Sequence, residues 1–273
     1  MTAHDTRQSW NFATRQHNAH KGDQAAFFRS GGDVLFPEEL ELLGPLAGKR
    51  LAHLQCNAGQ DTLGLARRGA RATGVDLSDE AIDFAKHLSE ASKIPATFVR
   101  SELVNWLTTT SERFDLAFSS YGAVGWLPDL EAWANGIARI LKPEGRFVYV
   151  EFHPLVWSIG ADLRLSKDDY FATAPFVEPV GDYVIDSGTA LGAVSPQNSE
   201  PNPTPAQSWQ YGVGQIVSAL AEAGLILEVL REYPYANGCK VCPGLIAADG
   251  RRWVWPEGTA RIPLMFGLVA RKV

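Results

Sequence analysis

Glu151 and His153 stand two residues apart, and that spacing could do acid–base chemistry. A histidine titrates near neutrality and is a natural proton acceptor. If one strand runs through both residues, their side chains leave the same face, and the carboxylate can orient the imidazole. His153 could equally do no more than satisfy a backbone group ahead of Pro154. Tyr121 and Tyr211 could hydrogen-bond an acceptor or its developing charge, and His20 is a second candidate base. A different constellation lies in residues 50 to 76, RLAHLQCNAGQDTLGLARRGARATGVD. Here a short turn of small and polar residues precedes a helical stretch, and Asp76 closes the segment. Backbone N–H groups at a helix N-terminus can face a ligand, and a strand-end carboxylate can accept two hydrogen bonds from a ribose diol.

These groups need a frame. Arg50 to Gln55 predicts a first buried strand, Gln60 to Arg68 a helix, and Ala72 to Val75 a second strand. Strand, tight turn, helix, strand and acid make the βαβ unit of a nucleotide-binding half-sheet. The turn Gln55-Cys56-Asn57-Ala58-Gly59 has one glycine, whereas a dinucleotide fingerprint uses three so that the backbone can approach a pyrophosphate. A ligand with a ribose but no phosphate fits better, which counts against an NAD-dependent oxidoreductase. Ser78 caps a helix over Asp79 to Ala91, Ala96 to Val99 is a third strand, and Phe114 to Ser119 a fourth. Ligands in open α/β sheets bind beyond the carboxyl ends of strands, so the loop from Ser119 to Trp126 faces the site. A helix over Leu130 to Leu141, a fifth strand over Arg146 to Glu151, a helix over Gln215 to Ala223 and strands over Leu225 to Tyr233 and Ile262 to Ala270 complete the pattern. Pro37 to Leu46 reads as a helix that starts on its proline.

The HLQCNAGQDT stretch resembles the class I S-adenosylmethionine-dependent methyltransferases, in a bacterial version that rewrites the usual acid-x-Gly-x-Gly-x-Gly loop. LKPEGRFVYVEFHP matches the family from helix end to fifth strand. The resemblance covers the chain from about residue 17 to the C-terminus. It implies an α/β fold: a Rossmann-like seven-stranded sheet with helices on both faces and a reversed last strand. It also implies an N-terminal lid over residues 1–49, for which an ordinary capping helix is the alternative. Residues 50–151 would form the cofactor-binding half, 152–208 an inserted substrate cap, and 209–273 the C-terminal half of one domain. S-adenosylmethionine would be the cofactor and S-adenosylhomocysteine its product. Gln55, Asn57, Gly59, Gln60, Asp76, Leu77, Ser101, Glu102, Ser119 and Ser120 would surround it. Ser101 and Glu102 inherit an adenine contact in this way, though Glu102 could instead be an exposed loop acid. The departures are His53 in place of an acid and Gln55 and Asn57 in place of glycines, so Gln55 and Gln60 become candidates for the methionine end.

Motifs NAHKGDQAAFF, HLQCNAGQDT, EFHP and EYPY are similar to actinomycete natural-product methyltransferases, including those that methylate C3 of an indole and close a pyrroloindoline. That resemblance implies a small aromatic acceptor such as a tryptophan-containing cyclic dipeptide. O- or N-methylation of another metabolite is the alternative, and a non-catalytic cofactor-binding protein a further one. The long run from 152 to about 208 has many turn formers and the aromatics Trp157, Tyr170, Phe171, Phe176 and Tyr183, with short strands expected around Val180 to Asp186. Its aromatics suit a flat ring or the core of a cap.

Of 273 residues, 45% are hydrophobic and 21% charged, an ordinary globular composition. A net charge of −6 gives no basic footprint for nucleic acid. No apolar run has the length of a membrane span, and MTAHDTRQSW lacks a signal-peptide core. Three cysteines make no disulfide framework, so a cytoplasmic location is expected. Cys239 and Cys242 form a lone C-x-x-C without the second pair a structural zinc needs, and no other metal spacing stands out. Pairing of two copies into a homodimer is left open.

Overall fold

Parallel strands covered on both faces need near-continuous apolar runs. β1 (Arg50–Leu54), β2 (Arg71–Asp76) and β4 (Phe114–Ser120) supply them and are almost wholly buried. β3 (Thr97–Arg100), β5 (Leu141–Phe152), β8 (Leu225–Tyr233) and β12 (Met265–Lys272) complete the sheet. In the computed structural model, which describes residues 3–160, 162–166, 168–184 and 200–273, the strand order is β3-β2-β1-β4-β5-β12-β8. β3, β2, β1, β4 and β5 run parallel, and β12 lies antiparallel to both β5 and β8. This is the expected seven-stranded sheet with its last strand reversed.

Alternation along β5 and β12 sends side chains to two separate cores. Val148, Val150, Phe152, Met265 and Val269 join the face covered by α4 (Gln60–Arg67) and α5 (Asp79–Ser92). Phe147, Tyr149, Phe266 and Leu268 join the opposite face, under α6 (Leu103–Thr109), α7 (Leu130–Ile140) and α8 (Val213–Glu222). Ser78 caps α5 as expected, its hydroxyl accepting from Ala81 N at 3.1 Å.

The structure adds elements that periodicity alone did not reveal. α1 (Ala3–Ala19) and α2 (Gln24–Arg29) precede α3 (Pro37–Leu43). α6 starts at Glu102, whose two carboxylate oxygens accept from Val104 N at 3.0 Å and Asn105 N at 2.7 Å. Residues 142–145, between the expected helix and the expected fifth strand, lie inside β5: pairing passes from Phe114↔Leu141 to Leu116↔Arg146, with Glu144 at φ +61° in the excursion. β9 (Tyr235–Asn237), β10 (Ile246–Ala248) and β11 (Arg252–Val254) form a small antiparallel sheet between β8 and β12. In the 152–208 segment, β6 (Phe176–Pro179) pairs with β7 (Pro205–Ser208). Strands expected around Val180 to Asp186 are absent over Val180–Val184, and positions 185 and 186 lie outside the described residues, as do 195 to 199 of the turn-rich run.

Candidate active site

The turn after β1 carries an unusual backbone. Gln55 (φ +53°), Asn57 (φ +47°) and Gly59 (φ +81°) are all left-handed. Gln55 and Asn57 therefore hold, at a cost, a conformation that glycine adopts freely. Gly59 has no substitute. A Cβ there would stand 2.7 Å from Ala85 Cβ and 2.8 Å from a Phe98 ring carbon. Asn57 offsets part of its strain by accepting its neighbour's amide, Ala58 N, at 2.6 Å on its own Oδ1.

Asp76 ends β2 beside this turn. Its Oδ2 accepts Asn57 N at 2.8 Å and its Oδ1 accepts Ser78 N at 2.9 Å. Burial pushes its carboxyl up to about 6 against the lowering effect of the amides of Ser78, Asn57 and Leu77. An ionised carboxylate has about four acceptor sites, so Asp76 retains capacity for hydroxyl donors. Gln55 Oε1 and Ser119 Oγ, also buried in this region, have no hydrogen-bond partner among the described residues. A ribose diol fits Asp76, and an ammonium or amide donor fits Gln55 Oε1, which is the donor–acceptor match that S-adenosylmethionine offers.

The β4–β5 connection is pinned from three directions. Tyr121 N donates to Val150 O at 3.0 Å. Gly122 N and Ala123 N donate to the two oxygens of Glu151 at 2.5 and 2.9 Å. Gln55 Nε2 donates to Ala123 O at 2.8 Å. Glu151 also accepts Tyr149 OH at 2.8 Å and Phe152 N at 2.7 Å. Its burial raises its pKa, and these donors act in the opposite direction. This frame holds Tyr121 at φ +27°, a sparsely populated conformation for a tyrosine.

Tyr121 packs between Phe36 and Phe152, with ring centroids 6.2 and 5.2 Å away. Its hydroxyl accepts Asn237 Nδ2 at 3.0 Å. Asn237 also donates to Glu38 Oε2 at 3.3 Å, and Glu38 Oε1 accepts Tyr235 OH at 2.6 Å and pairs with Arg252. The neighbouring Glu39 is 1% exposed; its Oε2 accepts Phe36 N at 2.8 Å while Oε1 has no hydrogen-bond partner among the described residues. Burial, with Asp61 adding repulsion, pushes the Glu39 carboxyl up to about 8. Asp61, in the first turn of α4, accepts the Ser120 hydroxyl at 3.4 Å, and burial raises its pKa too. Arg251, over the Phe36 ring at 4.2 Å, favours ionisation of both carboxyls. Lys21 faces Asp61 and Asp182, and burial lowers its ammonium to about 8.

The N-terminal segment reaches the same turn. Asn11 on α1 accepts the Ser78 hydroxyl at 2.7 Å and donates to Asp79 at 3.2 Å. Val180 N donates to Ser9 Oγ at 3.0 Å, joining residues of the 152–208 segment to α1. His20 Nδ1 lies 2.8 Å from Asp182 Oδ2, and His17 Nε2 is 3.1 Å from Gly181 O. Tyr183 stacks 4.2 Å from the His17 ring, and its hydroxyl lies 3.5 Å from Asn57 Nδ2. Burial depresses His17 to about 4, so this contact is made by a neutral ring.

Several residues singled out in the sequence stand elsewhere. Glu151 does not orient His153. The four donors above occupy its carboxylate, and His153 Nε2 lies 3.1 Å from Glu232 Oε1 instead. His153 Nδ1 accepts Leu155 N at 3.2 Å, and its ring meets Phe266 edge-on at 6.0 Å, on the sheet face opposite Phe152 and Tyr121. The backbone-satisfying reading of His153 describes this geometry. Tyr211 OH donates to Leu127 O at 2.7 Å. Glu102 is committed to capping α6, and Ser101 donates its amide to Asp76 O at 2.9 Å. Gln60 Nε2 donates to Gln24 Oε1 at 2.7 Å, tying α4 to α2. His53 contacts Thr62 Oγ1 at 2.8 Å and is held neutral by burial, with its pKa lowered to about 3. Glu39, Asn237 and Arg251 were not found from the sequence. Glu39 reads there as a helix-start acid, and the other two lie in an apparent loop.

Residues 52–145 match a family described as a methyltransferase domain. An uncharacterized methyltransferase of Synechocystis sp. is 34% identical over 139 residues, covering 50% of this chain and 63% of that protein. A ubiquinone biosynthesis O-methyltransferase of Alkalilimnicola ehrlichii is 28% identical over 109 residues, covering 40% of this chain and 44% of its own length. The chain thus spans about half the length of these curated relatives. The crystal structure of an S-adenosylmethionine-dependent methyltransferase from Mesorhizobium loti is similar in fold, with a TM-score of 0.56 at 20% identity over 86% of this chain and 96% of that one.

Proposed function

We propose that this chain, built around an S-adenosylmethionine-dependent methyltransferase domain, transfers a methyl group to a small aromatic acceptor. The observation that carries the reading is Asp76: a buried strand-end carboxylate beside a left-handed turn, with acceptor capacity for a ribose diol. S-adenosylmethionine supplies a methyl group on a sulfonium, whose departing thioether needs no protein acid. The chain's own part is to hold two reactants in line and to manage the acceptor's proton. Asp76 takes the ribose hydroxyls, and Gln55 Oε1 and Ser119 Oγ take polar groups of the methionine end. Tyr121, Phe36 and Phe152 form the wall against which a flat acceptor stacks.

Two acceptor types follow from these groups. An indole attacked through C3, with later ring closure to a pyrroloindoline, suits the aromatic wall and the motif resemblance. A phenolic or other hydroxyl acceptor is favoured by the similarity to a ubiquinone biosynthesis O-methyltransferase. Both are small molecules, and the net charge of −6 disfavours nucleic acid as acceptor. No helix among the described residues is long and apolar enough to cross a membrane.

Calorimetry with S-adenosylhomocysteine and with NADH tests the cofactor. The reading expects the first to bind and the second not to bind. Turnover with methyl-13C S-adenosylmethionine over tryptophan-containing cyclic dipeptides, indoles, phenols and amines then assigns the acceptor atom by carbon NMR. Label on a quaternary aliphatic carbon establishes indole C3 transfer, and label on oxygen or nitrogen replaces it. Failure to bind S-adenosylhomocysteine would overturn the function itself.

A further inference from the structure

Tyr121 has a backbone conformation that is costly and a hydroxyl that is held from one side by Asn237. Three separate elements converge on that hydroxyl. The β4–β5 loop supplies the tyrosine, β9 supplies Asn237, and α3 supplies Glu39. Asn237 Nδ2 donates to the phenol oxygen at 3.0 Å, so the phenol's own proton must point elsewhere. Glu39 and the phenol influence each other's ionisation, and Glu39 Oε1 is a buried oxygen with no hydrogen-bond partner among the described residues. The other oxygen of Glu39 is fixed by Phe36 N at 2.8 Å. Tyr121 is only partly buried by side-chain packing, whereas Glu39 is fully enclosed. The tyrosine is therefore the member of the pair that can touch an acceptor.

We propose that Glu39 is a positioning residue that receives the Tyr121 phenol proton, making Tyr121 the group that removes a proton from an acceptor presenting an aromatic O–H or N–H. This assignment rests on the methyltransferase reading above and deepens it by naming the proton path. The acceptor proton passes to the Tyr121 oxygen as the Tyr121 proton passes to Glu39 Oε1. The electron pair left on the acceptor forms the bond to the methyl carbon. The carbon–sulfur bond breaks with its pair going to sulfur, whose positive charge is cancelled. One proton remains on Glu39 and leaves to solvent before the next turnover.

The environment fits a proton acceptor of this kind. Around Glu39 stand Asp61 from α4, Tyr121 from the β4–β5 loop and Arg251 from the turn between β10 and β11. On its own helix, Glu38 is turned to Asn237, Tyr235 and Arg252. Lys21 faces Asp61 rather than Glu39. Burial and Asp61 raise the Glu39 pKa while Tyr121 and Arg251 lower it, leaving its ionisation to rise with pH through about 8.

The test has an arm that needs no acceptor. In protein carrying 13Cδ-glutamate and loaded with S-adenosylhomocysteine, the resonance lost in Glu39→Gln is Glu39. It is expected to titrate well above the ordinary carboxylate range and to move to still higher pH in Tyr121→Phe, which removes the phenol donor. A Glu39 resonance titrating near 4.5, or one unmoved by Tyr121→Phe, would overturn the relay. The kinetic arm uses the fastest acceptor of the panel. Glu39→Gln is expected to lower kcat about 100-fold with KM within about threefold, and to abolish the rise of rate with pH. Tyr121→Phe should cost a similar factor, and the double variant should cost little more than either alone. Unchanged kcat in Glu39→Gln, or a loss confined to KM, would also overturn it. Wild-type binding of S-adenosylhomocysteine with no Glu39 effect sinks the relay alone, whereas absent binding sinks the methyltransferase reading.

Discussion

The turn after β1 and the polar cluster around Tyr121 are both buried polar sites, but they are assembled over different distances along the chain. Asn57 and Asp76, which meet at 2.8 Å, are 19 residues apart. Tyr121 and Asn237 are 116 apart, and Glu38 and Arg252 are 214 apart. The first site is a local βαβ device whose parts are fixed by one strand–helix–strand unit. The second exists only once α3, the β4–β5 loop and the small β9–β11 sheet have come together. A short-range site can be shared widely among relatives, since it needs one segment; the matched family segment, residues 52–145, contains the turn and Asp76 but stops short of Asn237. The second site can change with the loops that build it.

Substitutions can break this contrast in order of size. Glu151→Ala should be the most damaging, because it strands Gly122 N, Ala123 N, Phe152 N and Tyr149 OH in a buried place. The expected loss is about 4 kcal/mol of stability, read as a drop in the denaturation midpoint. A variant with wild-type stability would show that the loop does not depend on this carboxylate. Next, Asp76→Asn should weaken S-adenosylhomocysteine binding about 30- to 100-fold, as expected for loss of hydrogen bonds to a charged group. Wild-type affinity should be flat above pH 7 and fall as pH drops through about 6, where the raised carboxyl of Asp76 takes up a proton. Calorimetry at pH 5 and 8 checks this, and the Asn variant should lose the pH dependence.

Gly59→Ala comes third. The new Cβ would clash with Ala85 and Phe98 and occupy a left-handed residue. About 2 kcal/mol of destabilisation is expected from strain and overpacking together, and chemical denaturation would measure it. An Ala variant as stable as wild type would mean that α5 yields easily. His153→Ala should be the mildest. Its ring caps Leu155 N and faces Glu232, a half-exposed acid on the edge strand, so turnover should stay within about twofold and stability fall by about 1 kcal/mol. A hundredfold loss of kcat would restore His153 to the chemistry.

The same difference in range explains what the sequence disclosed. The strands of the sheet and the cap at Ser78 were readable because each follows from local periodicity or a short motif, whereas the reversal of the last strand was implied by the family resemblance. Asp76 was readable because it closes β2, the strand that follows the turn and its helix. The Glu151–His153 pairing failed for a geometric reason. Glu151 lies in β5 and His153 just past its end, but four donors closer to Glu151 consume its carboxylate, and no local rule counts them. Glu39 could not be found because an acid near a helix start is normally a solvated residue favoured by the helix dipole. Only the packing of β9 and Tyr121 over α3 turns it into an enclosed carboxylate.

Gln55 joins the two regions through one planar amide. Its Nε2 holds the Ala123 carbonyl, and its buried Oε1 has no partner among the described residues. A donor arriving at Oε1 polarises the amide and strengthens the bond at Nε2, since linked hydrogen bonds reinforce one another. Occupancy at the turn is thereby coupled to the rigidity of the loop that carries Tyr121, and the coupling is reciprocal. On the proposed function, the kinetic expectation is an order of addition, with the methyl donor entering first and the acceptor meeting a loop already set. Hydrogen exchange at the Tyr121, Gly122 and Ala123 amides should slow when S-adenosylhomocysteine binds, and equal exchange in both states would uncouple the two sites.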